Sequence, residues 1–221
     1  MNADMIELDV LLTSDGVPVV FHDVDVRKLT NGKGKVSDLS FSELKKLDAG
    51  ITFSKDFKHE RIPSLKAVLD WLPAEMLLNI EIKPEAVSES RAGGIEEKVI
   101  QLIEQMNLEN RVLLSSFNYT AVKRFKQINS EIQTGLLYEA GQSRGRGPSE
   151  LIKEYEANFF HCSSRKMTKK WRMELNDHKI PYLVYTINRK WAMKRWLKHG
   201  AAGIFSDRPD LLKEVYLNNL R

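Results

Sequence analysis

Glu7, Asp9, Glu81 and Lys83 fall in two short apolar runs, Ile6-Glu7-Leu8-Asp9-Val10 and Ile80-Glu81-Ile82-Lys83. Side chains along a strand alternate between its two faces. Glu7 and Asp9 therefore share one face of their strand, and Glu81 and Lys83 share one face of theirs. Three carboxylates on buried strands are costly unless something compensates their charge. A divalent cation taking oxygen ligands does so, and carboxylates suit Ca²⁺ or Mg²⁺ better than zinc. Lys83 beside such a cation is placed to hold an anion. Simple ion pairs between the acids and Lys83 are the plainer alternative. His22 ends a further apolar run, and histidine as a residue type exchanges protons near neutrality. Carboxylates, a lysine and a histidine at strand ends point to metal-assisted chemistry on a phosphate.

Other side chains weigh less. Phe117 and Tyr185 are candidate pocket walls, with core packing as the rival reading. Ser115 and Ser116 form no nucleophile elbow. His161 is expected to end a strand and face the mouth, but His161-Cys162 alone makes neither a metal site nor a Cys/His pair. His59, His178 and His199 read as surface or helix-end residues, and Asp207-Arg208-Pro209 as a cap or ion pair.

The elements that must position these residues alternate. Strands are expected near Met5–Leu11, Val17–His22, Met76–Ile82, Val112–Ser116, Gln133–Tyr138, Asn158–Cys162, Tyr182–Ile187 and Gly203–Ser206. Helical patterns lie near Phe41–Leu47, Ser64–Trp71, Gly94–Met106, Tyr119–Ile128, Pro148–Tyr155, Lys169–His178, Lys190–Lys198 and Asp210–Leu217. Such βα alternation predicts a parallel sheet with helices outside it. One join breaks the pattern. Only Thr13-Ser14-Asp15-Gly16 separates the first two strands; a parallel crossover needs a dozen or more residues, and Asp-Gly is a hairpin turn. The second strand should thus run back antiparallel and return His22 towards Glu7 and Asp9. Seven parallel strands remain, one βα unit short of a (β/α)₈ barrel. Residues 25–62 form a small insertion after the hairpin, with Ser40 and Glu43 spaced as a capping box. The whole chain, 1–221, reads as a single domain.

Composition excludes several classes. A 42% hydrophobic and 29% charged chain is ordinary for a globular protein. No apolar run approaches the ~20 residues of a membrane helix, and Met1-Asn2-Ala3-Asp4 has no signal-peptide character. With one cysteine, Cys162, no internal disulfide forms, so a cytoplasmic location is expected. The net charge of +4 favours anionic partners, but the basic clusters at 144–146 and 165–172 read as solvated faces, and no nucleic-acid motif is present. Oligomeric state is left open.

The motifs also resemble a known family. Ile6-Glu7-Leu8-Asp9-Val10, Asp15-Gly16-Val17-Pro18-Val19-Val20-Phe21-His22-Asp23, Leu47-Asp48-Ala49-Gly50, Ile62-Pro63-Ser64-Leu65, Asn79-Ile80-Glu81-Ile82-Lys83, Leu114-Ser115-Ser116-Phe117 and Gly203-Ile204-Phe205-Ser206-Asp207-Arg208-Pro209 together look like the glycerophosphodiester phosphodiesterase family. The resemblance implies a TIM-type (β/α)₈ barrel with a β-hairpin and small insertion near residues 12–62. It implies Ca²⁺ or Mg²⁺ held by Glu7, Asp9 and Glu81, His22 as one of two catalytic histidines, and Lys83 on the phosphate. The implied reaction splits a small glycerophosphodiester into glycerol 3-phosphate and an alcohol. The family's opening strand ends in His-Arg-Gly and is followed by a Glu-Asn-Thr helix start, neither of which this chain contains. The expectation is therefore a truncated member missing its first βα unit, with impaired hydrolysis, or a metal- and phosphodiester-binding module without turnover.

Overall fold

A computed structural model describes residues 3–219; Met1 and Asn2, half of the stretch read above as leaderless, lie outside the described part. Eight strands form one sheet: β1 (Met5–Leu12), β2 (Pro18–Val20), β3 (Leu77–Ile82), β4 (Val112–Ser116), β5 (Gln133–Leu137), β6 (Phe159–Ser163), β7 (Tyr182–Tyr185) and β8 (Gly203–Ile204). Their spatial order is β2-β1-β3-β4-β5-β6-β7-β8. Every neighbouring pair from β1 to β8 is parallel, and β1–β2 alone is antiparallel. Among the described residues no ladder joins β8 to β1, so the sheet curls like a barrel but stays open on that side. This is the arrangement that counting strands anticipates.

The helices are α1 (Phe41–Leu44), α2 (Leu65–Trp71), α3 (Ile95–Gln105), α4 (Tyr119–Ile128), α5 (Ala140–Ser143), α6 (Pro148–Tyr155), α7 (Lys169–Asp177), α8 (Lys190–Lys198) and α9 (Pro209–Asn219). Several start on side-chain caps: Ser64 accepts from Ala67 N, Asn118 from Ala121 N, and Thr168 from Trp171 N. In α3, Ile95, Val99, Ile100 and Ile103 recur at helical spacing and are all buried. They meet the outward side chains of the strands, among them Leu78, Ile80 and Leu114, in one continuous core between sheet and helices. Burying each such side chain contributes about 1.5–3 kcal/mol. Cys162 faces this same core and is buried. A buried ion pair, Arg124 Nη1 to Glu96 Oε1 at 2.9 Å, ties α4 to α3.

The hairpin and insertion pack on a smaller core of their own. Leu11, Val19, Phe21, Val26, Val36, Leu44 and Ile62 close around one another. Gly16 supplies the positive φ of the turn. Asp15 accepts from Thr13 Oγ1 at 2.5 Å and Phe41 N at 3.0 Å, fixing the hairpin tip to α1. The capping box forms as read: Glu43 N donates to Ser40 Oγ, and Ser40 N donates to Glu43 Oε2 at 2.8 Å. The helix stops at Leu44, however, three residues short of the expected Leu47. Asp48 is the reason. Its buried carboxylate collects the backbone N–H groups of Gly50, Ile51 and His59, a loop geometry that competes with continued helix.

Candidate active site

The inward face of the sheet carries the chemistry. β1 and β3 are in parallel register with Glu7 opposite Asn79 and Asp9 opposite Glu81. One carboxylate oxygen from each of Glu7, Asp9 and Glu81 lies within 4.8 Å of the others. Lys83, one residue past β3, completes the group. Its backbone N–H continues the ladder to Val10 O, and its Nζ stands 3.2 Å from Asp9 Oδ1 and 3.3 Å from Glu81 Oε1. The four residues read from the sequence are thus brought together.

One lysine does not neutralise three acids. Burial pushes the Glu7 carboxyl up to about 8, with Asp9 and Glu81 adding repulsion and Lys83 opposing it. Glu81 is also raised, first by burial and then by Asp9, against the pull of Lys83. Burial works against the Lys83 ammonium, but Glu81 and Asp9 outweigh it and its pKa is raised. Glu7 is more exposed than its strand position leads one to expect. The cause is β2, which pairs only with Val10 to Leu12 and leaves the flank of β1 at Glu7 uncovered. Water reaching Glu7 screens part of the repulsion there. A set of hard oxygen donors carrying surplus negative charge fits a divalent cation.

His22 follows β2. Phe21 N donates to Asp9 O at 3.0 Å, which sets the chain beside the acids at this level. Its side chain is 64% exposed, and Nδ1 lies 2.7 Å from Asp23 Oδ1. That contact and the Lys28 ammonium hold the Asp23 carboxyl below the usual range. His22 makes no hydrogen bond to Glu7, Asp9 or Glu81; its charge reaches Glu81 only through space.

Phe117 and Tyr185 meet edge to face with ring centroids 6.4 Å apart. Phe205, one residue beyond β8, extends this wall, 6.2 Å from Tyr185. Sequence reading left Phe205 out, although it stands in the run Gly203-Ile204-Phe205 and alternates with Ile204. Other sites fall away as expected. Ser116 Oγ donates to Ile82 O, and Arg208 pairs with Asp210. His178 and His199 are helix C-caps. His161 departs from expectation: it sits in the middle of β6, fully buried, rather than at a mouth.

The arrangement can be set beside known proteins. The glycerophosphoryl diester phosphodiesterase family model matches residues 1–211. A glycerophosphodiester phosphodiesterase of Caldanaerobacter subterraneus subsp. tengcongensis is 38% identical over 213 residues, spanning 96% of this chain and 85% of that one. The chain belongs to the glycerophosphoryl diester phosphodiesterase family. A further member, from Bacillus altitudinis, is 34% identical over 95% of this chain and 84% of its own. Among solved structures, a phosphodiesterase of Oleispira antarctica in complex with the product sn-glycerol-3-phosphate superposes with a TM-score of 0.83. It is 26% identical, over 97% of this chain and 85% of that one. The fold of these phosphodiesterases is of the TIM-barrel type, and the curled sheet of this chain is an open form of it.

Proposed function

We propose that this chain, as one barrel-type domain, hydrolyses small glycerophosphodiesters to glycerol 3-phosphate and an alcohol at the cluster on β1 and β3. Family membership supports the reaction class, and the product complex of the Oleispira antarctica relative supports a small-molecule substrate. The observation that carries the assignment of residues is the convergence of Glu7, Asp9 and Glu81 with Lys83 against them.

Glu7, Asp9 and Glu81 would hold the divalent cation, Ca²⁺ or Mg²⁺. Bound there, it supplies charge neutralisation to the phosphodiester and its developing negative charge. Lys83 keeps donor capacity beyond its two carboxylate contacts and offers it to a phosphate oxygen. Asp23 orients the His22 imidazole through Nδ1 and leaves Nε2 free to take a proton from, or return one to, a substrate oxygen. Phe117 and Tyr185 offer apolar rings to the non-reacting part of the substrate and keep water from that side. Among the described residues no helix is long and apolar enough to cross a membrane.

The test is release of glycerol 3-phosphate from glycerophosphocholine with Ca²⁺ or Mg²⁺, comparing the chain with His22→Ala and with a chelated sample. Turnover lost in both controls is the expected result. A folded chain that binds the cation without turnover overturns the hydrolytic reading in favour of a binding module. A chain that hydrolyses equally well under chelation overturns the cation site.

A further inference from the structure

Beside the carboxylates, three buried polar side chains on the inward face have no partner: Asn79 at Oδ1, Ser115 at Oγ, and His161 at both ring nitrogens. A buried polar group left unpaired costs about 1–3 kcal/mol, and native interiors rarely leave one without a reason. These fall on adjacent positions. Asn79 is the register partner of Glu7. Ser115 is the register partner of Glu81, and Gly135 is the next residue in the same row.

Gly135 is what links His161 to that row. A Cβ on Gly135 would lie 2.6 Å from Cε1 and Nε2 of His161 and 3.2 Å from Nδ1. The imidazole therefore crosses from β6 over the bare backbone of β5, with its Nε2–Cε1 edge above Gly135. Parallel neighbours are ~4.8 Å apart, so Ser115 has Glu81 on one side and, on the other, Gly135 with the His161 ring over it. On its far side the ring meets Phe205, centroids 5.5 Å apart, which closes it off from water.

We propose that Ser115 and His161 are positioning residues for the Glu81 carboxylate: the Nε2–H of His161 donates to Ser115 Oγ, and the Ser115 hydroxyl donates to Glu81. Register sets Glu81, Ser115 and Gly135 in one row, and the two bonds form when the Ser115 hydroxyl and the His161 ring turn towards each other along it. Burial holds His161 neutral, its pKa pushed down to about 3, so the ring carries a single proton, and the relay places it on Nε2. A carboxylate fixed this way turns its remaining oxygen to the cation without a search over rotamers. The inference rests on the cation site proposed above.

The test is calorimetric titration of the whole chain with Ca²⁺ and Mg²⁺, for the parent, Ser115→Ala, His161→Phe, the double variant and His161→Gln. Residues that support a metal ligand typically contribute 10–100-fold in affinity. Each single variant should weaken binding by about tenfold or more. The double variant should be no weaker than the worse single one, because the two act in series. His161→Gln, which restores a donor at a similar reach, should recover most of the loss. Nitrogen-15 chemical shifts of the parent's His161 should report a neutral ring protonated at Nε2. Cation binding by the parent with unchanged affinity in the variants overturns the relay and leaves the cation site standing. Losses that multiply in the double variant, or a ring protonated at Nδ1, likewise overturn it. A parent that binds neither cation overturns both readings. Ser115→Ala removes only one oxygen, so its affinity remains readable if His161→Phe fails to fold.

Discussion

The ammonium of Lys83 stands 3.2 Å from Asp9 Oδ1, with both side chains only about one-sixth exposed, at 15% and 16%. Lys83 also touches Glu81, so removing it leaves two half-desolvated carboxylates facing each other. Lys83→Met should lower unfolding free energy by about 2 kcal/mol. That is less than the ~3–5 kcal/mol of breaking a fully buried pair, because water reaches all three groups. The same change should reduce kcat for glycerophosphocholine by roughly 10²–10³, the usual cost of one electrostatic contact to the transition state. Urea unfolding and steady-state kinetics on one preparation check both parts.

Glu81→Gln should act in the opposite sense on stability. It removes one member of a repelling trio, so the melting temperature without added divalent cation should hold or rise. Cation affinity should fall by more than the ~10–100-fold expected of a merely supporting residue. Thermal melts with chelator, followed by titration with Mg²⁺, separate the two effects. A melting temperature that falls steeply under chelation would count against the surplus of negative charge described for this cluster.

Gly135→Ala puts a methyl where the His161 ring lies, 2.6 Å from two of its atoms. The ring must give way, and overpacking of this kind costs typically ~1–3 kcal/mol. In the Gly135→Ala/His161→Ala double variant the added methyl no longer meets a ring. The two effects should therefore be non-additive, the double variant being more stable than the sum of the single losses allows. A double-mutant cycle measured by chemical denaturation gives the coupling directly.

His161 also sets a pH dependence. Its folded pKa is about 3 against an ordinary value of 6.5, so the unfolded chain binds the extra proton first. Stability from this residue is complete above pH 6.5 and is lost as pH falls towards 3. The slope is about 1.4 kcal/mol per pH unit once the unfolded histidine is protonated. Between pH 7.5 and pH 5 the parent should lose roughly 2 kcal/mol more than His161→Phe. Parallel losses in both proteins would mean that other groups dominate acid unfolding.

Arg124→Met should destabilise more than substitution of any exposed residue on α4. Glu96 is fully buried, and its second oxygen already lacks a partner. Without Arg124 it keeps an uncompensated charge, at a cost of about 3–5 kcal/mol. Replacing both residues by apolar ones should recover much of that loss, which guanidinium unfolding can measure.

Much of this was legible in the sequence for physical reasons. Strand alternation placed Glu7 and Asp9 on one face and Glu81 and Lys83 on another, and parallel register then brought the two faces together. Four residues around Asp15-Gly16 could only make a hairpin, and that fixed the direction of β2. The start of α1 followed from Ser40 and Glu43, spaced as a capping box. What escaped depends on contacts distant in sequence. Asp48 ends α1 through bonds to Gly50, Ile51 and His59, and nothing in the 41–47 pattern announces it. His161 stood near the end of the expected strand Asn158–Cys162, whereas β6 runs from Phe159 to Ser163. Its inward burial is set by Gly135, some 26 positions earlier in the numbering. Phe205 joins the aromatic wall only because β8 lies beside β7.

Cys162 sits in the core between sheet and helices, with its thiol pushed up to about 12 by burial. In the closed fold it is both shielded and protonated, so it presents no thiolate to a thiol-reactive probe. Modification then proceeds only through molecules whose helices have lifted from β6, and its rate counts those excursions. The chain thus carries a built-in clock for local opening. It ticks once per molecule and needs no engineered label.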